Sequence, residues 1–325
     1  MAVYAVVGNM LVSIISVFCD NDYKMVPKLL QNIEEKVKVP HEIILIDNRE
    51  KFKDDPADFY PATIFSKGCN TYQFEARRFA VQYCNGDYIW FIDSDDTILS
   101  VKSDLDFTED LILFNHANYT SLISLPPTWY FRKQVLNTKQ RFTSITRNQL
   151  DSYIVNHDPF TTCCCTLWNK WIKKDLVSSI IKDIPEGLEI VASEDVLYSA
   201  LFIDRSKTIC FCNDTIYLYR EDLSKGFNSK ITTDRFFHII KGRKLSRELF
   251  RRYFDNPEYW DNTDVSAAYF VYKAFSTSDA EICLKEMLNH FSVEEISKVQ
   301  NHIWLEPLSQ DQKETLGKFI AEQNL

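Results

Sequence analysis

Glycine is scarce in this chain, with seven in 325 residues. No G-x-G-x-x-G and no Walker-type loop occurs, so any nucleotide it binds is not cradled by the backbone amides of a glycine-rich turn. No apolar run approaches the ~20 residues that span a bilayer. The opening MAVYAVVGNMLVSIISVF is apolar but has no basic region ahead of it, so it reads as the approach to a strand rather than a signal peptide. Paired cysteines are missing as well. None of the nine forms a C-x-x-C, and without export they are expected to be thiols in a reducing compartment. Cys163, Cys164 and Cys165 are consecutive, and thiols that alternate faces along a strand suit small buried side chains better than a zinc site. Excess positive charge is absent too. A net charge of −9 excludes a surface that generally coats nucleic acid, though not a local basic patch. The expected location is cytoplasmic, with peripheral attachment to a membrane left open.

What is present supports a large core. Hydrophobic residues make up 45% and aromatics 14%, and the length fits one large domain or two. LVSIISVF (11–18), HEIILIDN (41–48) and DYIWFID (87–93) read as buried strands. Between them, 23–38 and 75–84 carry helical periodicity, with Pro27 near the start of the first helix, where it is tolerated. The stretch with Pro56 and Pro61 reads as polar loop. Near-continuous apolar strands alternating with helices predict an α/β fold, a parallel sheet covered on both faces. Ligands in such sheets bind beyond the carboxyl ends of the strands, where Cys19-Asp20, Asp47 and the acids after Ile92 fall. Further along, 109–117 reads as a strand and 119–150 as irregular structure ending in a helix. Residues 161–177 read as a strand running into a helix, and 193–204 as a helix capped by Ser193. KTICFCN and TIYLYR, within 207–220, read as two strands. From about 233 the pattern is helical, with S-x-x-E/Q capping boxes at Ser278/Glu281, Ser292/Glu295 and Ser309/Gln312. The expected division is 1–232 and a helical region 233–325.

The chemistry gathers at GDYIWFIDSDDTI (86–98), where an apolar run breaks into Asp93, Asp95 and Asp96. Like charges this close need water or a cation among them. A D-x-D at a strand end points two carboxylates the same way, and hard cations such as Mg²⁺ or Mn²⁺ take such oxygens together with phosphate. By itself D-S-D-D is equally a solvated turn or a helix cap. Glu194 and Asp195 are likewise open between helix capping and proton transfer.

The ordered series VSIISVFCDND, EIILIDN, SKGCNTYQFEARRFAVQYCNGDYIWFIDSDD, LWNKWIKKDLV, SEDVLYSALFI and IYLYREDLSKG resembles the GT-A glycosyltransferases of the family 2 type, over roughly residues 10–230. The resemblance implies a Rossmann-like, mostly parallel sheet flanked by helices, followed here by a C-terminal helical region. It implies a metal-dependent, inverting transfer from a nucleotide sugar, UDP-linked by family precedent. The implied nucleotide contacts are Phe18 to Asp20, Asp47, Arg77 and Asp93, with Arg220 and Ser224 on the diphosphate. Asp95, with Asp93, is the implied ligand of Mn²⁺ or Mg²⁺, and Asp195 the base. Three segments depart from the family pattern: Cys19-Asp20-Asn21 in the first loop, Asp47-Asn48-Arg49-Glu50 where D-D-G-S is usual, and Arg78 where asparagine is usual. The implied acceptor is a surface polysaccharide, a lipid-linked glycan or a teichoic-acid-like polymer. Modified bases of DNA, as for some phage enzymes, and a non-catalytic nucleotide-sugar-binding module stand as alternatives.

Residues 235–252 carry seven basic residues, Arg235, Lys241, Arg243, Lys244, Arg247, Arg251 and Arg252, against Glu248. This is either a solvated helix face or the seat of an anionic partner, whether membrane surface, phosphate polymer or DNA. The apolar residues of the same segment are expected to pack on the catalytic domain. Trp168 and Trp171 read as core, and His157 carries no clear signal.

Overall fold

The computed structural model describes residues 10–20, 22–49, 59–66, 71–118, 141–146, 148–149, 166–188, 190, 194–219, 231–254, 263–300 (263–266 as backbone only) and 308–323. Arg220 and Ser224, the cysteine run 163–165, His157 and the Ser193 cap lie outside them. The chain separates into two compact units: Met1–Glu189 with Glu194–Glu221, and Ile190–Ser193 with Asp222–Leu325.

Among the described residues, the first unit is built on a nine-stranded sheet. Strand β1 (Val12–Phe18) is buried at all seven positions and lies between β2 (His41–Asp47) and β4 (Tyr88–Asp93), parallel to both. Such burial on both faces is why these strands read as continuous apolar runs. Helix α1 (Val26–Lys36) packs Val26, Leu29, Leu30 and Ile33 inward, and Pro27 occupies its first turn. Helix α2 (Gln73–Val81) buries Phe74, Ala76, Arg77, Ala80 and Val81. Gly86 precedes β4 where a Cβ would meet the Ser13 nitrogen at 2.6 Å and the Leu11 oxygen at 2.8 Å, so only glycine lets the backbones approach this closely.

Beyond β4 the sheet is mixed: with β3 (Thr63–Ser66), β5 (Thr97–Ile98), β6 (Leu111–Asn118), β7 (Phe142–Thr146), β8 (Lys170–Lys173) and β9 (Thr208–Tyr219), its order is β3-β2-β1-β4-β8-β6-β9-β5, with β7 also on β9. Strand β8 (Lys170–Lys173) runs antiparallel between β4 and β6 (Leu111–Asn118) and leads into α3 (Lys174–Asp183). Trp168 and Trp171 are both buried in the core, as their sequence context suggests.

Several elements differ from the sequence reading. Strand β3 (Thr63–Ser66) occupies the presumed polar loop; it is a four-residue edge strand, half exposed, paired to β2 through its backbone. Strand β7 (Phe142–Thr146) lies in the stretch read as irregular, and buries only Ile145. The two strands expected over 207–220 are one, β9 (Thr208–Tyr219). The polar Asn213-Asp214 that suggested a break is absorbed where the β6–β9 register moves from Phe114↔Cys212 to Asn115↔Thr215. Asn115 fills that irregularity by donating to the Asn213 carbonyl at 2.9 Å. Strand β5 (Thr97–Ile98) pairs with β9 near its end, and α4 (Glu194–Arg205) precedes β9 in the chain.

The second unit is helical: α5 (Thr233–Tyr253), α6 (Thr263–Phe275), α7 (Ala280–Met287), α8 (Val293–Lys298) and α9 (Gln310–Gln323). Phe236, Ile239 and Ile240 of α5 share a core with Val271, Met287, Ile296 and Phe319. Phe236, Ile239 and Ile240 therefore serve the helical unit's own core. The Ser292/Glu295 and Ser309/Gln312 capping boxes form. The Ser278 box does not: Asp279 is the cap residue of α7, and the Ser278 hydroxyl donates to its carboxylate at 2.7 Å.

Candidate active site

The parallel registers bring the strand ends together. Phe18 lies opposite Asp47, and Val17 opposite Asp93, so the first loop, the acid after β2 and the D-S-D-D turn share one edge of the sheet. Here the acids are compensated one at a time. Asp93 Oδ1 accepts from Arg77 Nη2 at 2.8 Å and from Gln73 Nε2 at 3.3 Å. Asp96 is buried and accepts from the Tyr217 hydroxyl at 2.7 Å. Asp95 lines a cavity of about 250 Å³ with Ser94, Asp96, Asn32 and Lys28. Arg77 and Tyr217 thus partner the first and last acids of the turn.

Arg77, 5% exposed, also reaches the other half of the site: its Nη1 lies 3.2 Å from Glu194 Oε1 at the start of α4. One guanidinium, 117 residues ahead of Glu194 in the sequence, thus joins the D-S-D-D turn to the E-D pair. Burial pushes the Glu194 carboxyl up, against the pull of Arg77. Burial, and next the neighbouring Glu194, push Asp195 up to about 7. Asp195 Oδ1 accepts from the Val196 amide at 2.8 Å, while Oδ2 has no hydrogen-bond partner among the described residues. One oxygen is thus bonded to the backbone of the first turn of α4 and the other is left to accept a proton.

Asp47 is almost fully buried, and Arg49 engages both its oxygens, Nε to Oδ1 at 2.9 Å and Nη2 to Oδ2 at 2.7 Å. The Arg49 guanidinium lies over Tyr23, 4.2 Å from the ring centroid, and 5.4 Å from that of Phe18. The departure from D-D-G-S thus has a structural expression: an arginine replaces the glycine and covers the acid. Asn48 accepts from the Thr71 amide and hydroxyl, each at 2.9 Å, ahead of α2. Arg78 donates to the Ile184 and Pro185 carbonyls, at 2.7 and 2.8 Å. Asp20 is exposed.

Sequence reasoning missed Asp22 and Tyr217. Asp22 accepts from the Cys19 amide at 2.7 Å and from the Ser94 hydroxyl at 2.6 Å, tying the first loop to the D-S-D-D turn. The spacing from Cys19 to Asp22 was its only local signal.

Against known proteins, the model of the family described as "Glycosyl transferase family 2" matches residues 13–176. The "Minor teichoic acid biosynthesis protein GgaB" of Bacillus subtilis (strain 168) is 29% identical over 224 residues, 64% of this chain and 23% of that protein. The chain thus spans about a quarter of that relative's length. S. aureus TarS superposes with a TM-score of 0.50 at 14% identity, over 97% of this chain and 53% of that one. TarS 1–349 in complex with UDP-GlcNAc gives a TM-score of 0.53 at 13% identity, over 96% of this chain and 88% of that one. At these identities the likeness establishes a shared GT-A fold.

Proposed function

The chain belongs to glycosyl transferase family 2, and from that premise we propose that it is a metal-dependent, inverting glycosyltransferase. In this reading it moves a sugar from a UDP-sugar to a hydroxyl of a teichoic-acid-like polymer. The donor is supported by the UDP-GlcNAc in complex with the similar TarS 1–349, and the acceptor class by the teichoic acid biosynthesis of the GgaB relative. The observation that carries the reading is Arg77, bonded on one side to the strand-end aspartate and on the other to the E-D pair. Diphosphate chemistry and proton transfer need those two groups within one substrate's reach.

Asp93 and Asp95 would hold Mg²⁺ or Mn²⁺. They offer only carboxylate oxygens, which hard cations prefer, and Asp93 Oδ2 accepts no hydrogen bond among the described residues. No group of three or more His, Cys, Asp or Glu able to hold a metal is found there. Such a set fits a cation whose other ligands are diphosphate oxygens and water. When bound, the cation neutralises charge on the departing diphosphate.

Asp195 Oδ2 takes the proton of the acceptor hydroxyl as that oxygen attacks the anomeric carbon, opposite the leaving nucleoside diphosphate, which inverts the configuration. A base held near pH 7 is well matched to this task. Arg77 holds Asp93 and Glu194 in place. Phe18 and Asp20 border the nucleoside, where Asp47 acts through the arginine it orients. Arg220 and Ser224 enter on motif alone, as contacts to the diphosphate.

The test uses two variants with UDP-GlcNAc, Mn²⁺ and a poly(polyol phosphate) acceptor. Asp195→Asn should keep Mn²⁺-dependent stabilisation by UDP and lose on the order of 10²–10⁴ in turnover. Asp95→Asn should lose the Mn²⁺-dependent stabilisation itself. Near-normal transfer by the first variant would return the E-D pair to a helix cap. Parental Mn²⁺ dependence in the second would remove the metal assignment.

A further inference from the structure

Strand β8 covers β4 only at Tyr88 and Ile89. Further along, that edge of β4 has no strand beside it among the described residues, and its contacts there run through side chains of the strand or of its neighbours. Trp90 Nε1 donates to the Trp168 carbonyl at 2.6 Å. The Asp93 amide, the last of the strand, donates to the Tyr217 hydroxyl at 3.1 Å, and the same hydroxyl donates to Asp96 Oδ2 at 2.7 Å. One phenol oxygen therefore spans the D-S-D-D turn from its first residue to its last. The ring is fixed independently of the hydroxyl: it stacks on Trp168 at 4.7 Å and 6° and lies 6.5 Å from Trp90. Tyr217 also sits on β9 just ahead of Tyr219, the last described residue of the strand.

We infer that Tyr217 is a positioning residue: it holds the backbone of the turn so that Asp93 and Asp95 face one ligand, and it couples that turn to the end of β9. The inference rests on the reading of Asp93 and Asp95 as the metal–diphosphate pair. It also divides the acids, since Asp96 then serves the turn through Tyr217 and does not contact the ligand. No local sequence pattern points to this, because 121 residues separate Tyr217 from Asp96.

Tyr217→Phe removes the hydroxyl and keeps the stacked ring. Two readouts are taken on the intact chain: the affinity for UDP with Mn²⁺ and with a chelator instead, and hydrogen exchange across residues 88–98. The Phe variant is expected to bind UDP with Mn²⁺ on the order of 10-fold more weakly, the usual cost of losing a group that orients a metal ligand. Chelator-condition binding should stay within about twofold of the parent. Exchange should rise in the turn and nowhere else in the sheet. Asp96→Asn, which keeps an acceptor for the phenol, should retain the parental Mn²⁺ dependence. Equal weakening in both conditions, with exchange raised throughout the sheet, would mean general destabilisation and overturn the inference. Loss of Mn²⁺ dependence in Asp96→Asn would make Asp96 a ligand and overturn it as well. If the parent itself shows no Mn²⁺ dependence, the metal reading falls. The positioning role is then judged on exchange alone, and an unchanged turn in Tyr217→Phe refutes it.

Discussion

A carboxylate held up to about 7 by burial and by Glu194 makes Asp195 sensitive to pH in two ways. As a base it must be ionised, so turnover is expected to rise through an acid limb near pH 7. As a buried acid it has the opposite effect on stability. Its folded-state pKa lies above the ordinary 3.8, so the folded state binds the extra proton. The associated stability is full below about pH 4 and is lost as pH rises through about 7. Asparagine does not titrate. Asp195→Asn should therefore gain melting temperature relative to the parent as pH climbs from 5 to 8, by a few degrees. A difference between the two proteins that is flat with pH would show that Asp195 does not hold its proton in the folded state. Arg77 limits the effect, because its charge pulls both acids of the pair down.

Among the elements, the helical unit offers a matched pair of tests. Ser292 accepts from the Glu295 amide at 3.1 Å, while Glu295 accepts from the Ser292 amide at 2.6 Å. Ser292→Ala should cost about 1 kcal/mol, a few degrees in a thermal melt. Ser278 satisfies the same sequence pattern but caps nothing, so Ser278→Ala should be nearly silent, within about 0.5 kcal/mol. Equal losses would mean that α7 begins at Ser278 after all. The contrast also shows what was legible in the sequence. A capping pattern fixes a helix start only if its serine is free to turn to the helix amides, and the Ser278 hydroxyl is spent on the Asp279 carboxylate instead. The β1-α1-β2-α2-β4 core was readable because its strands are buried on both faces and carry apolar residues without a break. Strands β3 and β7 were not, since edge strands pair through backbone alone and leave no apolar period. The single strand β9 was misread as two because Asn213 and Asp214 look like a turn; their compensation comes from Asn115 and from Arg141, which lies 2.5 Å from Asp214. At the site, a motif singles out Asp93 and the Glu194-Asp195 pair, which the structure places on either side of Arg77. No motif singles out Asp22, the Asp47–Arg49 pairing or Tyr217, because each depends on which side chains the fold brings together.

Over the whole molecule, charge is unevenly placed. The chain carries −9 overall, yet Thr233–Tyr253 holds seven cations against Asp234 and Glu248. The structure sorts these cations. Arg243 is 2% exposed. Arg247 donates to the His290 carbonyl at 3.0 Å and lies 3.6 Å from Glu295. Arg235, Lys241, Lys244, Arg251 and Arg252 are exposed. A test of an anionic acceptor should therefore spare Arg243 and Arg247, whose loss would disturb packing, and change Lys241, Lys244, Arg251 and Arg252 to glutamine. Glutamine keeps helix propensity, so α5 should persist. If the acceptor is a phosphate polymer, its KM should rise in the quadruple variant and its salt dependence should flatten. The expected change in slope is on the order of 0.7 for each phosphate no longer neutralised, as for a flexible polyphosphate strand. UDP binding, which is assigned to the other unit, should not change. Duplex DNA and anionic vesicles serve as comparison partners at low and moderate salt. A salt-sensitive response to the phosphate polymer, absent with the other two, would tie the basic helix to the proposed acceptor. An unchanged KM and an unchanged salt slope would leave these four side chains as solvated surface and move the search for the acceptor-binding residues away from α5.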